Sequence, residues 1–530
     1  MSTTDQPRAA LLLELEELAR EDRLSREQLE DLARRRNVPR SVVHGLRTFY
    51  FPDPSAAAQE VCVGLPCAMR RSALRLPPLG ATDGATSCLG YCARGPVVRH
   101  GGRCFEVTPS GSREIEESTA AFVEEHREHL PAYRGRGGYE ALERYLSAPD
   151  PEAAIRKVEQ AALRGLGGAG FPAHVKWSAL RASPGPRRLL LVNAHEGEPG
   201  TFKDRELLER EPHRLLEGAL LAAVVVGASE IVVGLRSDFE NARVSLETAV
   251  AELEGFARSV WPQARLPSVQ VVAVPGPYVT GEETALMEAL EGRRSEPRLR
   301  PPFPTETGLE GRPTLVQNVE TLAGLPELLG RGAEPPTPRA REKLFCLTGD
   351  VARPGAYRHP LGVPAMELVS RDGGTDPGEL KAFLPGGLSG GLLPASRLTV
   401  SLDFDAVQRE GAGLGTGAVI AIGRDRCLVE VLAEIASFFA RESCGKCVPC
   451  RLGTVRLERL LTDLKQGTAT ERDIEGGLAL AKVLQETSIC ALGQVAGKAL
   501  IDAMTHFPEE LLAHIHGRCP ARGAVAEDRP

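Results

Sequence analysis

The chain has 530 residues, 42% hydrophobic and 25% charged, with a formal net charge of −7; it can hold three or four domains, and its acidic balance argues against a nucleic-acid partner. The longest apolar run, Gly218 to Ala228, is 11 residues, about half of the ~20 a membrane-crossing helix needs. The N-terminal "AALLL" runs straight into "ELEELARED" with no signal-peptide core, so a cytoplasmic protein is expected, where clustered cysteines favour metal over disulfide.

In chain order, residues 1–57 read as helices, with leucines at three- and four-residue spacing and a capping box predicted from Ser25 and Gln28. Residues 58–110 turn strand-like and carry Cys62-x4-Cys67 and Cys88-x3-Cys92. Two pairs on two loops suit a [2Fe–2S] cluster, one pair per iron; a zinc ribbon is the rival, although it favours two-residue spacing. Residues 111–149 form a polar connector with helical pieces. From 150 to 335, "RRLLLVNAHE", "SEIVVGLRS" and "SVQVVAVPG" read as buried strands and "DRELLEREPHRLLEGALLAAVVVG" as helix, which is α/β periodicity. Residues 336–425 gain Gly, Pro and short β-branched runs, predicting a small β-rich domain, and residues 426–530 return to helix.

Two stretches of the α/β region could carry a ligand. "RGLGGAGFP" places Gly165, Gly167, Gly168 and Gly170 within six residues, which lets backbone N–H groups approach a phosphate or a flat ring. The spacing is not G-x-G-x-x-G, so a tight structural turn stays open as the alternative. "NAHEGEPGTFKDR" ends the strand "LLLV", and open α/β sheets bind ligands at such carboxyl ends. "VTGEETALMEALEG" adds Glu282 and Glu283 at a helix start, where the dipole stabilises them whether or not they do more.

Near the C-terminus "ESCGKCVPC" sets Cys444, Cys447 and Cys450 at every third position, and Cys490 is the candidate fourth ligand. Three thiolates on one loop with a distant fourth suit [4Fe–4S] better than zinc, whose thiolates come as separated pairs. Cys104, Cys346, Cys427 and Cys519 are isolated and read as small buried hydrophobes.

Together these motifs resemble the flavin- and NADH-binding subunit of respiratory complex I, over about residues 150–515. The resemblance rests on "RGLGGAGFP", "EGEPGTFKDR", "TGEETALMEALEGRR", "PRLRPPFP", "GRPTLVQNVETL" and "ESCGKCVPC", in family order. Residues 10–110 resemble the thioredoxin-like [2Fe–2S] subunit of the same enzymes, fused upstream. That fusion looks most like the beta (diaphorase) subunit of NAD-dependent formate dehydrogenases and NAD-reducing hydrogenases.

The resemblance implies an α/β multidomain fold: N-terminal helices, a thioredoxin-like domain, a Rossmann-like FMN-binding domain, a β-grasp domain and a helical bundle holding the [4Fe–4S] cluster. It implies FMN over the glycine loop, with Lys176, Asn193, His195, Glu196, Tyr278, Gly281, Glu282, Arg300, Gln317, Asn318 and Thr321 around it. Phe171 and Phe303 would flank the adenine of NADH, and Glu198 and Glu283 would line the cavity as the catalytic pair. Electrons would leave through Cys444, Cys447, Cys450 and Cys490 toward partner redox subunits; no molybdopterin or nickel site is legible, so a partner chain would handle the terminal substrate. The chain departs from the family at Leu166 (usually Arg), His195 (usually Asp), Arg300 (usually Lys) and Gln317 (usually Asn). His195 would change charge near pH 6–7. Only 20 residues separate Cys67 from Cys88, fewer than in the family. The competing readings are a flavin-free scaffold or electron relay, and the NADH-binding chain of complex I itself.

Overall fold

The computed structural model describes residues 9–20, 25–51, 59–76, 83–100, 103–116, 120–184, 187–330, 342–521 and 523–524. The domain boundaries expected at 57/58 and 335/336 lie outside the described residues. Three helices open the chain, Ala9–Arg20, Arg26–Arg35 and Arg40–Tyr50. The second begins on the predicted capping box, Ser25 and Gln28 each accepting the other's backbone N–H.

The first sheet has five strands in the order Asp83–Thr86, Gln59–Cys62, Val97–His100, Arg103–Thr108, Gly111–Glu114. The first pair is parallel and the rest antiparallel. Helix Leu65–Ala73 makes the parallel crossover, so the short stretch between Cys67 and Cys88 still holds a helix and a strand. Its last strand, Gly111–Glu114, belongs to the stretch read as connector. It is an exposed polar edge paired through Thr108↔Gly111, and an edge strand with a solvated face carries no apolar alternation to betray it.

The α/β region is built on four parallel strands in the order Ser268–Val274, Ala228–Arg236, Arg188–Ala194, Thr314–Asn318. The inner strands are buried along most of their length, as parallel strands covered on both faces must be. The segment read as one helix is two, Lys203–Arg210 and Pro212–Val226. Glu211 leaves helical geometry at φ −123°, ψ 47°, because a proline ring disfavours the α conformation of the residue before it. The second helix carries Gly218–Val226 of the apolar run into the main core. Among the described residues no helix is long and apolar enough to cross a membrane.

A second five-stranded sheet follows, in the order Gly355–Pro360, Glu342–Gly349, Ala418–Gly423, Leu380–Leu384, Leu393–Pro394. The chain then returns to helix with Leu428–Arg441, Val448–Lys465, Glu471–Thr487 and three shorter helices, which pack their leucines and phenylalanines into one core.

Candidate functional site

The glycine loop joins helices Pro151–Gln160 and Ala173–Ala182. It is pinned by Gly165 N–H to the Phe171 carbonyl (2.9 Å) and by Leu166 N–H to Thr321 Oγ1 (2.8 Å). Gly168 and Gly170 have φ +133° and +61°, conformations that side chains rarely adopt. A Cβ on Gly170 would meet the Phe404 ring at 2.7 Å and one on Gly167 would meet Asn318 at 3.0 Å, whereas at Gly165 and Gly168 nothing lies nearer than 3.7 Å. The loop is tight below and open above.

Asn193 and Asn318 are register partners at the ends of adjacent strands. Asn193 Nδ2 donates to the Gly281 carbonyl (2.7 Å), and Asn318 caps helix Val319–Ala323 while donating to Asp204 (2.7 Å). Gln317 and Thr321 are buried beside them. Glu282 caps helix Glu283–Leu290 and pairs with Arg300, which also reaches Glu283 at 3.0 Å. Glu283 pairs with Lys176, whose ammonium lies 5.9 Å from the Phe171 ring centre. Phe171 and Phe303 are 47% and 52% exposed, which is unusual for phenylalanine without a partner.

Glu198 has a different set of partners from Glu283. It is buried against Gly387 and Ser389, accepting Ser389 N–H at 2.9 Å, and burial raises its pKa. The Tyr278 ring packs 5.2 Å from Phe438, and Tyr278 N–H donates to Glu442 (2.6 Å). Glu196 accepts the N–H groups of Asp204 and Arg205 at 3.0 and 3.2 Å, and burial with the Asp204 charge raises its pKa to about 7. His195 is buried with neither ring nitrogen hydrogen-bonded. Burial, then the Arg236 charge, push its pKa down to about 3, so the imidazole stays neutral where the sequence predicts titration.

Sequence reasoning takes "EGEPGTFKDR" for a ligand segment, yet most of it is a seam. Gly200 N–H donates to Cys92 Sγ (3.2 Å), Thr201 meets Thr416 (2.8 Å), and Phe202 N–H donates to Cys346 Sγ (3.4 Å). Lys203 is fully buried between Asp204 (2.6 Å) and Glu320 (3.3 Å), and Lys343 from the following sheet closes the network on Glu320 at 2.8 Å. Arg205 donates to the Gly90 carbonyl (3.1 Å) and lies 4.0 Å over Tyr91.

Cys62, Cys67, Cys88 and Cys92 are all buried. Strand pairing sets Cys62 opposite Thr86, two residues before Cys88. The Cys88 and Cys92 sulfurs are 3.4 Å apart, and Gly90 N–H donates to Cys88 Sγ. Neighbouring thiols, with burial, hold the pKa of Cys62, Cys88 and Cys92 well up, Cys88 at about 12. From the α/β domain, Arg236 donates to the carbonyls of Cys88 (2.7 Å) and Glu196 (2.8 Å).

Cys444, Cys447, Cys450 and Cys490 line one small hollow together with Val279, Pro297 and Leu492. Cys447 and Cys490 stand at helix N-caps, and the backbones of Lys446, Leu492 and Gly493 bond the sulfurs of Cys444 and Cys490. Burial pushes Cys450 up to about 12 and Cys490 to about 11. Four soft donors around one hollow, with backbone N–H groups aimed at the sulfurs of Cys444 and Cys490, fit an iron–sulfur cluster, which binds its cysteines as thiolates.

Fold and site define a flavin- and iron–sulfur-binding oxidoreductase chain. Residues 158–327 match the Nuo51 FMN-binding domain and residues 430–514 the NADH-ubiquinone oxidoreductase-F iron-sulfur binding region. The second F subunit of the NADH-quinone oxidoreductases of Rhizobium meliloti is 40% identical over 74% of this chain and 96% of its own length. The F subunit of the Aquifex aeolicus NADH-quinone oxidoreductase is 39% identical over 72% and 90%. A chain of the NAD+-reducing [NiFe]-hydrogenase in its H2-reduced state superposes with a TM-score of 0.79 at 31% identity, over 96% of this chain and 93% of that one. The chain belongs to the family of NADH-quinone oxidoreductase F subunits.

Proposed function

We propose that this chain is the NADH-binding, FMN-dependent subunit of a larger redox complex of the NAD-reducing hydrogenase or formate dehydrogenase type. The carrying observation is the glycine loop, open on one side, beside strand ends bearing Asn193, Asn318 and Thr321, in a chain whose C-terminal hollow gathers four cysteines. The hydrogenase likeness spans 96% of the chain and the likeness to the Rhizobium meliloti relative 74%, which favours a diaphorase with its N-terminal domain fused on. A cytoplasmic setting belongs to this reading and accords with twelve free cysteines.

The glycine loop and Thr321 would hold FMN, whose chemistry there is the conversion of a two-electron carrier into one-electron steps. Leu166 N–H on Thr321 and the contact of Gly167 with Asn318 fix the loop's position, Asn318 is itself held by Asp204, and Asn193 holds the Gly281 carbonyl. Lys176, beside Phe171, and Arg300 are bound to Glu283 and Glu282 here; they can exchange carboxylate for the phosphate oxygens of a dinucleotide. Phe171 and Phe303, exposed, are the apolar surfaces for its adenine. The [4Fe–4S] cluster belongs on Cys444, Cys447, Cys450 and Cys490. The N-terminal four cysteines, in a domain we read as thioredoxin-like over residues 58–114, are assigned a [2Fe–2S] cluster, and residues 342–425 a structural β-grasp role.

The purified chain, loaded with FMN, should oxidise NADH with ferricyanide as acceptor. A fully flavinated preparation without that activity overturns the reading. A preparation that releases no yellow chromophore on acidification favours the flavin-free relay.

A further inference from the structure

Two cysteines that read as isolated fillers are not isolated. Cys427, His514 and Cys519 offer ligand atoms that all lie within 4.8 Å of one another, with Cys427 Sγ 3.4 Å from His514 Nε2. Their exposures are 2%, 2% and 5%, and the two sulfurs are free thiols rather than a disulfide. The three arrive from separate elements: Cys427 caps helix Leu428–Arg441, His514 sits in the last turn of Pro508–Ile515, and Cys519 ends the strand Arg518–Cys519. Folding has therefore brought 87 residues of chain separation to hydrogen-bond distance at one buried point.

We propose that Cys427, His514 and Cys519 form a zinc site, distinct from both iron–sulfur cysteine sets, with a water molecule as the fourth donor. The Cys427–His514 separation of 3.4 Å and the 4.8 Å limit on the others bracket what the ion imposes. Tetrahedral zinc with sulfur at ~2.3 Å and nitrogen at ~2.0–2.1 Å keeps its ligand atoms roughly 3.6–3.8 Å apart. Thiolate and imidazole are the donors zinc prefers. The same set is too small for an iron–sulfur cluster, which takes one ligand per iron.

The neighbouring carboxylates are committed elsewhere. Glu510 accepts Lys381 Nζ and Leu428 N–H, each at 2.8 Å, and Glu430 lies 3.7 Å from Lys465. No protein oxygen is thus assigned to the fourth position. His514 Nε2, which faces Cys427 Sγ at 3.4 Å, is the coordinating atom. Zinc displaces two thiol protons to solvent, and nothing is oxidised or reduced.

The placement gives the ion a mechanical role. Helix Leu428–Arg441 starts at Cys427 and ends three residues before Cys444. At 1.5 Å rise per residue its 14 residues separate the zinc from the cluster loop by about 21 Å. The site clamps the helix Pro508–Ile515 and the strand after it onto the far end of the helix that carries the cluster loop.

The test is zinc analysis and zinc-edge X-ray absorption on the full-length, cluster-loaded chain. The expected result is about one zinc per chain with two sulfurs at ~2.3 Å and two lighter donors at ~2.0–2.1 Å. In Cys519→Ser and in His514→Gln the zinc content should fall several-fold while iron content holds. A first shell of four sulfurs overturns the proposal, since it places zinc on the iron–sulfur cysteines. Absence of zinc even after titration overturns it too, as does a Cys427–Cys519 disulfide found by mass spectrometry. The wild-type spectrum decides alone if the variants fail to fold.

Discussion

The two sets of four cysteines differ in how they are held. The C-terminal set is mostly local: three ligands come from seven residues and two stand at helix N-caps, while the α/β domain contributes Val279 and Pro297 to the lining and Lys446 donates to the Pro297 carbonyl. The N-terminal set is held from outside its own domain. All four thiols are buried, Gly200 of the α/β domain donates to Cys92, and Arg236 and Arg205 from that domain hold the carbonyls of Cys88 and Gly90. A set of four cysteines can thus be built mostly from one stretch of chain or from a seam between domains, and the second kind couples its geometry to the domain it faces.

Deleting one C-terminal ligand tests the local side of that contrast and should give the largest effect. Cys490→Ala should abolish the [4Fe–4S] signal in spectroscopy of the reduced protein. NADH–ferricyanide activity should survive, and so should the N-terminal cluster. An unchanged [4Fe–4S] spectrum would show that Cys490 is no ligand.

The seam is tested by Arg236→Gln. It removes a buried cation that bridges Cys88 and Glu196 and pairs with Asp238 at 2.7 Å. Breaking a buried pair from one side costs about 3 kcal/mol, part of it recovered here because Arg99 also reaches Asp238 at 3.3 Å. Urea unfolding should show the loss and the N-terminal iron should become labile, with the [4Fe–4S] content unaltered. Equal iron loss from both sites would erase the distinction.

A smaller effect sharpens it. His195 lies beside the same arginine, and its folded pKa of about 3 is below its unfolded value of 6.5. A depressed imidazole favours folding above pH 6.5, and that contribution is lost as pH falls from 6.5 toward 3. By linkage the loss between pH 7 and 5 is up to about 2 kcal/mol. His195→Gln should flatten the stability profile over that interval, measured by urea unfolding. The flavin potential of the wild type should show no inflection from this imidazole between pH 5.5 and 8. An inflection there would mean that the ring is solvated.

Legibility follows the same division. Cys444, Cys447 and Cys450 are readable because their spacing is itself the geometry of a turn. Glu282 is readable because a carboxylate at a helix start has a local reason to be there. The open side of the glycine loop is not, since it depends on Phe404 and Asn318 closing the other side. The break before Pro212 escapes a reading of apolar periodicity, although the proline stands in plain view. Cys427 reads as a filler because its partners lie far along the chain; the local hint is His514 followed five residues later by Cys519.

What the sequence determined by itself was periodicity and short-range chemistry: which stretches are helix or strand, where the glycines cluster, and which cysteines share a turn. Those depend on neighbours within a few residues. Only the tertiary structure decided that "EGEPGTFKDR" is mostly a seam, that Glu198 is buried against Ser389, that His195 stays neutral, and that Cys427 meets His514 and Cys519. Burial and charge proximity are properties of the packed chain, and at these positions they arise between residues that the sequence holds far apart.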